Sequence, residues 1–360
     1  MNEIFQSKKA EVISGGIEQE GMDLMGALVK GAGFKAENED TTSSLEKGRP
    51  KTRALTDEDI LGNAFVFILA GHETTANSIN FSLIFLAMKV ASQRHLQQDL
   101  GHILQGRPIN EWDYERELPN LFNGMAGAVM NETLRLVPPV VVIPKSVAKT
   151  EAQPLNIDGK KCMVPAGCHV SLNSVAVHRN PKYWPSGPPS DPSDPIHPTS
   201  NTDNDLEEFR PERWLLDNDP SQFESLPGTE NHITEISDLG VSTTPDTSSS
   251  LFRPVKGAYI PFSEGYRACL GRRFAQVEVL TVLAVIFSQY SVELAVDQWA
   301  TDEEVEKMSG EERREVWDKA RREVERLMRD GMGSIFTLQM RGGKVPVRFV
   351  KRGGERFDGL

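Results

Sequence analysis

The chain has 360 residues, 52 acidic against 40 basic, and its formal net charge of −12 argues against a nucleic-acid partner. Hydrophobic residues make up 38%, enough for a sizeable core in one large domain or two ordinary ones. The three cysteines, Cys162, Cys168 and Cys269, make no disulfide framework and fit a reducing, intracellular compartment, while the apolar runs at 64–70 and 279–287 are too short for a membrane anchor. Residues 1–34 read as helical, with an apolar stripe at Met22, Met25, Leu28 and Val29. Residues 35–53 are rich in Glu, Thr and Ser and read as a surface loop. Thr56-Asp57-Glu58-Asp59 then looks like an N-cap followed by acids in a first helical turn. The helix continues through Ile60, Phe65, Phe67, Ile68 and Leu69 and on through Ile79, Phe81, Leu83 and Phe85. Unbroken to about residue 90 it is roughly 50 Å long, and a helix apolar on nearly all sides is expected to be buried. Its middle reads Ala70-Gly71-His72-Glu73-Thr74-Thr75. Gly71 leaves room there for a flat ligand, with Thr74 one turn along on the same face; equally, a mid-helix threonine hydroxyl often bonds back to a carbonyl.

Residues 93–104 suggest another helix, 113–118 a short polar passage, and 126–136 a helix ended by Pro138-Pro139. Glu132 and Arg135 share a face of that last helix and can pair, between the apolar flanks Val129, Met130, Leu134 and Leu136. Short strands are expected at 140–143, 155–157, 162–164 and 169–172, with turns at Asp158-Gly159 and Pro165-Ala166-Gly167. Cys162, Cys168, His169 and His178 match no paired zinc spacing. Residues 185–206 (Pro, Ser, Asp) and 217–250 (Ser, Thr, Pro, Glu) lack apolar periodicity and read as exposed or disordered insertions rather than domain boundaries.

The informative stretch is Pro261-Phe262-Ser263-Glu264-Gly265-Tyr266-Arg267-Ala268-Cys269-Leu270-Gly271, ahead of an apolar helix over 272–289. Gly265 and Gly271 permit a tight loop. Loop amides and the helix N-terminus that follows favour a thiolate at Cys269, and a thiolate so held suits haem iron as an axial ligand. Arg267 would meet an anionic group of the same cofactor. The plainer reading is a buried thiol in a turn. Further on, a strand is expected at 291–295 and capping boxes at Thr301-Asp302-Glu303-Glu304 and Ser309-Gly310-Glu311-Glu312. The helix beyond Ser309 carries Val316, Trp317, Ala320, Val324, Leu327 and Met328 on one face. Residues 334–340 and 345–350 read as a hairpin about Arg341-Gly342-Gly343-Lys344.

The cysteine stretch, Phe-x-x-Gly-x-Arg-x-Cys-x-Gly, resembles the haem-binding loop of the cytochrome P450 family. Ala70-Gly71-His72-Glu73-Thr74-Thr75 resembles that family's oxygen-activating segment. Glu132-Thr133-Leu134-Arg135 with its prolines, and Phe209-Arg210-Pro211-Glu212-Arg213-Trp214, resemble two further hallmarks, with His178-Arg179-Asn180-Pro181 leading toward the second. The resemblance runs from about residue 56 to 350. It implies a mainly α fold with small β-sheets (α+β), one haem-binding domain over residues 1–360, and haem sandwiched between the long helix and the loop, with Cys269 as axial thiolate. The implied reaction is monooxygenation: one atom of O₂ enters a small hydrophobic organic substrate and the other leaves as water. Glu73 and Thr74 would organise water and deliver protons. Phe262, Gly265, Gly271, Gly71 and Arg267 would contact the cofactor. Lys145 stands where members often carry a propionate-binding arginine, and offers a point charge without the arginine fork. Glu132, Arg135 and Arg213 would form a buried network holding the loop. Arg272 and Arg273 are candidates for an electron-donor face, and Ile335, Phe336 and Thr337 for substrate contacts.

Family members carry a substantial part ahead of the long helix, including the membrane anchor of the endoplasmic-reticulum forms. This chain begins just before that helix, so the fold reads as N-terminally incomplete. Nothing resembles a nicotinamide or flavin domain, so electrons are expected from a separate NADPH-cytochrome P450 reductase. Two other readings stay open: a haem-thiolate isomerase or dehydratase, against which the Glu73-Thr74 pair argues, and a truncated, catalytically inactive haem-binding fragment. The lead-in Phe252-Arg253-Pro254-Val255-Lys256-Gly257-Ala258-Tyr259 looks like fungal members, which act on lipids and secondary metabolites.

Overall fold

Residues 2–14, 24–32, 55–188, 204–216, 248 and 250–359 are described by the computed structural model of the chain. They fall into two compact units, Met1–Glu73 and Thr74–Leu360. In the first, α1 (Asn2–Ile13), α2 (Leu24–Gly31) and the start of α3 (Asp57–Met88) bury Phe5, Val12, Val29, Ala32 and Ile60 together. Met25, Leu28 and Val29 of the expected stripe belong to this cluster, while Met22 lies outside the described residues. Thr56 starts α3 as a capping box: its hydroxyl accepts the Asp59 N–H at 3.1 Å, and the Asp59 carboxylate accepts the Thr56 N–H at 3.0 Å. Burial on nearly all sides does not hold for this half of α3. Phe65, Val66, Ile68 and Leu69 are each more than half exposed, because the cluster takes up only the face carrying Ile60 and Ala64.

In the second unit the end of α3 buries Phe81, Ile84, Leu86 and Ala87. Next come α4 (Val90–Leu104), α5 (Tyr114–Asn123) and α6 (Met125–Leu136), the last buried along its whole length. The passage read as polar at 113–118 is the capped start of α5. The Asp113 carboxylate accepts the Arg116 N–H at 2.9 Å, and the polar residues are the outer face of a helix that buries Leu118, Leu121 and Phe122. Four short strands follow, β1 (Val142–Ser146), β2 (Gln153–Ile157), β3 (Lys160–Val164) and β4 (His169–Asn173), pairing antiparallel as β1 with β4 and β2 with β3. A single turn, α7 (Ser174–Val177), leads to His178.

After the cysteine loop, α8 (Arg272–Gln289) runs into β5 (Tyr290–Leu294), then α9 (Asp302–Lys307) and α10 (Gly310–Gly331). Both capping boxes, at Thr301 and Ser309, are formed. The C-terminal pairing differs from the expected hairpin. β6 (Met332–Ser334) pairs with β7 (Leu338–Met340), while β8 (Val347–Lys351) pairs with β5. Alternation identifies a strand without identifying its neighbour. The fold is mainly α with small antiparallel sheets. No described helix is long and apolar enough to cross a membrane. Residues 189–203, 217–247 and 249 lie outside the described residues. The described Asp205, Leu206 and Ser248, at the ends of the stretches read as insertions, are buried.

Candidate functional site

The cysteine loop is built by its backbone. The Ile260 carbonyl accepts the Ser263 N–H at 3.1 Å across Pro261, so the chain turns as soon as it leaves the core. Ser263 (φ 60°) and Gly265 (φ 80°) occupy the left-handed region, which strains any side chain at 265 and accounts for glycine there. The Cys269 N–H donates to the Phe262 carbonyl at 2.8 Å, which closes the loop on its cysteine. Gly271 sits at φ −84°, a conformation open to any residue, and a β-carbon there would meet nothing within 4 Å. The position in this turn that requires glycine is therefore 265.

Cys269 is exposed, so the plainer expectation of a buried thiol does not hold. Beside it in sequence Tyr266 and Leu270 are each more than three-quarters exposed, Phe274 is more than half exposed, and Arg267 is exposed. Lys145 on β1 reaches the same loop, donating from Nζ to the Ser263 hydroxyl at 3.2 Å. Phe336, at the tip between β6 and β7, is 84% exposed. Its neighbour Thr337 is buried. Arg272, expected on an outer basic face, is buried, and the Arg273 guanidinium stacks over the Phe122 ring at 5.5 Å. On α3, Gly71 is exposed, with nothing within 4 Å of an added β-carbon. Glu73 and Thr74 are half-buried, and the Thr74 carbonyl accepts the Ser78 hydroxyl at 3.0 Å.

Behind the loop lies a charged network in the core. The Glu132 carboxylate is fully buried and accepts five hydrogen bonds: two from Arg135 (2.7 and 2.9 Å), and one each from Arg213 Nε (3.0 Å), Trp214 Nε1 (2.8 Å) and the Arg210 N–H (2.9 Å). Burial pushes this carboxyl up, but the Arg135 and Arg213 charges overcome it and hold it at about 2. Arg135 spends its remaining donors on the Leu206, His178 and Glu208 carbonyls. Asp205 accepts from Arg213 through both its carbonyl (2.9 Å) and its carboxylate (3.3 Å) and pairs with Arg210, which explains its burial. Among these partners, local spacing indicates only the Glu132–Arg135 pair.

Three side chains make contacts that the sequence did not indicate. His178 is fully buried, with Nε2 accepting the Ile260 N–H at 2.8 Å and Nδ1 against the Arg135 carbonyl at 3.3 Å. Burial, aided by the Arg135 and Arg179 charges, drives its pKa down to about 3, so the ring is neutral. Trp184 Nε1 donates to the Ala258 carbonyl, and the Tyr259 hydroxyl to the Asn131 carbonyl. The apolar run Val175-Ala176-Val177 before His178 was a signal of burial, though not of its partners.

The cytochrome P450 family model matches residues 1–192 and 204–316. A cytochrome P450 monooxygenase of Arthrobotrys oligospora is 27% identical over 326 residues, covering 89% of this chain and 47% of its own length. One from Penicillium roqueforti is 28% identical over 280 residues, covering 76% and 40%. A bifunctional cytochrome P450/NADPH–P450 reductase of Aspergillus oryzae is 27% identical over 262 residues, covering 72% and 19%. The chain thus spans less than half the length of these relatives. With the family model covering most of its residues, the chain belongs to the cytochrome P450 family.

Proposed function

We propose that this chain carries the haem-thiolate half of a monooxygenase, with Cys269 as the residue whose thiolate would hold the haem that the family uses. The observation that carries this reading is an exposed cysteine whose N–H is tied to the Phe262 carbonyl, on a loop that also exposes Tyr266 and Leu270, with Phe274 exposed in the first turn of α8. A sulfur ligand among exposed apolar side chains, with the cations Arg267 and Lys145 on or against the same loop, fits a flat, largely apolar, dianionic cofactor. When bound, haem supplies the oxygen chemistry, and a thiolate ligand favours O–O cleavage.

The protein residues then have separate tasks. The Cys269 amide bond fixes the sulfur's place on the loop. Arg267 and Lys145 would pair with the cofactor's carboxylates, Lys145 through a point charge steadied by Ser263. Glu73 and Thr74 on α3 organise water and pass protons. Ile335 and Phe336 contact a small hydrophobic substrate. Electrons come from a separate NADPH-dependent reductase, the function fused to the Aspergillus oryzae relative in its name. The test is the absorption spectrum of the reduced, haem-loaded chain under carbon monoxide, beside Cys269→Ala. A strongly red-shifted Soret band that vanishes in the variant is expected. A band indifferent to Cys269 rejects the assignment.

A further inference from the structure

The cysteine loop leaves the core at Ile260. Its carbonyl opens the turn by accepting from Ser263, and two residues later the Phe262 carbonyl takes the Cys269 N–H. The Ile260 N–H is the last backbone group before the turn, and its acceptor is the His178 imidazole at 2.8 Å. Ile260 and His178 are both buried. The other ring nitrogen faces the Arg135 carbonyl, on the helix that carries the Glu132–Arg135 pair.

Both partners are main-chain atoms, so their roles are fixed. An amide N–H can only donate and a carbonyl can only accept. Nε2 must therefore carry the lone pair and Nδ1 the proton, and one imidazole bridges α6 to the root of the loop. Trp184 and Tyr259 hold the preceding residues, Trp184 through the Ala258 carbonyl and Tyr259 through Asn131. The Tyr259 ring also tilts against the imidazole at 5.2 Å. Among the side-chain hydrogen bonds of the described residues, the imidazole's is the one that reaches the residue at which the turn begins.

We propose that His178 is a positioning residue for the thiolate: by fixing Ile260 against α6 it sets the register of Ile260–Phe262, and through the Phe262 carbonyl the position of Cys269. The proposal rests on the reading of Cys269 as haem ligand. Two near-isosteric variants separate the two bonds. In His178→Gln the side-chain oxygen can reach the place of Nε2 and accept from Ile260. In His178→Asn the amide lies near Nδ1 and can serve only the Arg135 carbonyl.

Amide hydrogen exchange on the full chain reads the tie without any cofactor. The Ile260 and Cys269 amides should exchange about tenfold faster in His178→Asn than in wild type, with His178→Gln near wild type. The carbon monoxide spectrum of the haem-loaded proteins reads the sulfur. The thiolate-ligated fraction should fall in His178→Asn and be restored in His178→Gln, which a general loss of stability shared by both variants would not produce. Equal exchange in the two variants overturns the proposal. So does faster exchange in His178→Asn with an undiminished thiolate fraction. A wild type that shows no thiolate band at all rejects the Cys269 reading instead, and the exchange comparison still decides whether His178 fixes the Cys269 amide.

Discussion

A buried imidazole that must stay neutral and a buried carboxylate that must stay charged both penalise acid, but in different windows. In the unfolded chain His178 takes up a proton below pH 6.5; in the folded chain it does so only near 3, with Arg135 and Arg179 the charges that oppose it after burial itself. Its contribution is therefore complete above pH 6.5 and is lost as pH falls toward 3. Glu132, at about 2 folded against 4.5 unfolded, adds a loss confined to the range below pH 4.5. Between pH 6.5 and 4.5 His178 dominates of the two, and each pH unit removes about 1.4 kcal/mol. Urea unfolding of wild type and His178→Gln over this range should show their difference shifting by that amount per unit, with the wild type losing more. Parallel curves would mean that the ring titrates normally in the fold. At this scale the sequence was legible in part. Glu132 and Arg135 could be paired from their spacing and apolar flanks, whereas Arg213 lies 81 residues beyond Glu132 and was found only through motif order. Asp205 had no local signal, and His178 had only its apolar neighbours at 175–177, because tertiary contacts alone supply the partners of both.

Elements are joined here by side-chain amides as well as by apolar packing. Gln93 on α4 is buried and takes the place of a strand neighbour for β5, accepting the Val292 N–H at 2.8 Å and donating to the Val292 carbonyl at 2.8 Å and the Leu86 carbonyl at 2.9 Å. The sequence places Gln93 only at the start of a helix over 93–104, since helical periodicity cannot foresee a strand edge lying against it. The β5–β8 pairing was missed for a related reason: the strands were recognisable by their alternation, but the partner lies far back in the chain, before α9 and α10. Replacing Gln93 with leucine keeps the volume and strips three buried main-chain groups of this partner. The expected cost is about 2–4 kcal/mol, with faster exchange at the Val292 amide. Gln98→Leu, on the exposed face of the same helix, should stay within about 0.5 kcal/mol. Equal unfolding midpoints for the two variants would remove Gln93 from the account of how β5 is held.

For the molecule as a whole, helical periodicity and the order of four motifs made the fold class and family legible, while the exposed surface depends on which faces find neighbours. Phe65, Ile68 and Leu69 stand three and four apart on α3, so they form one apolar face, and each is 57–58% exposed. Such a face favours association. The net charge of −12 opposes it, and that opposition is a long-range term that salt screens within about 10 Å at 0.1 M. The chain should therefore self-associate in detergent-free buffer and do so more strongly as salt rises, the reverse of an ion-pair interface. Phe65→Glu with Leu69→Lys leaves net charge unchanged and uses two good helix formers, so it removes the apolar face with little change to the helix. Sedimentation velocity at low and high salt, with binding of a hydrophobic dye, measures the effect. The double variant should sediment as a smaller species and bind less dye at every salt concentration. If wild type and variant sediment alike, the α3 face is not the contact, and association through other exposed apolar groups such as Leu270 and Phe336 would have to explain whatever remains.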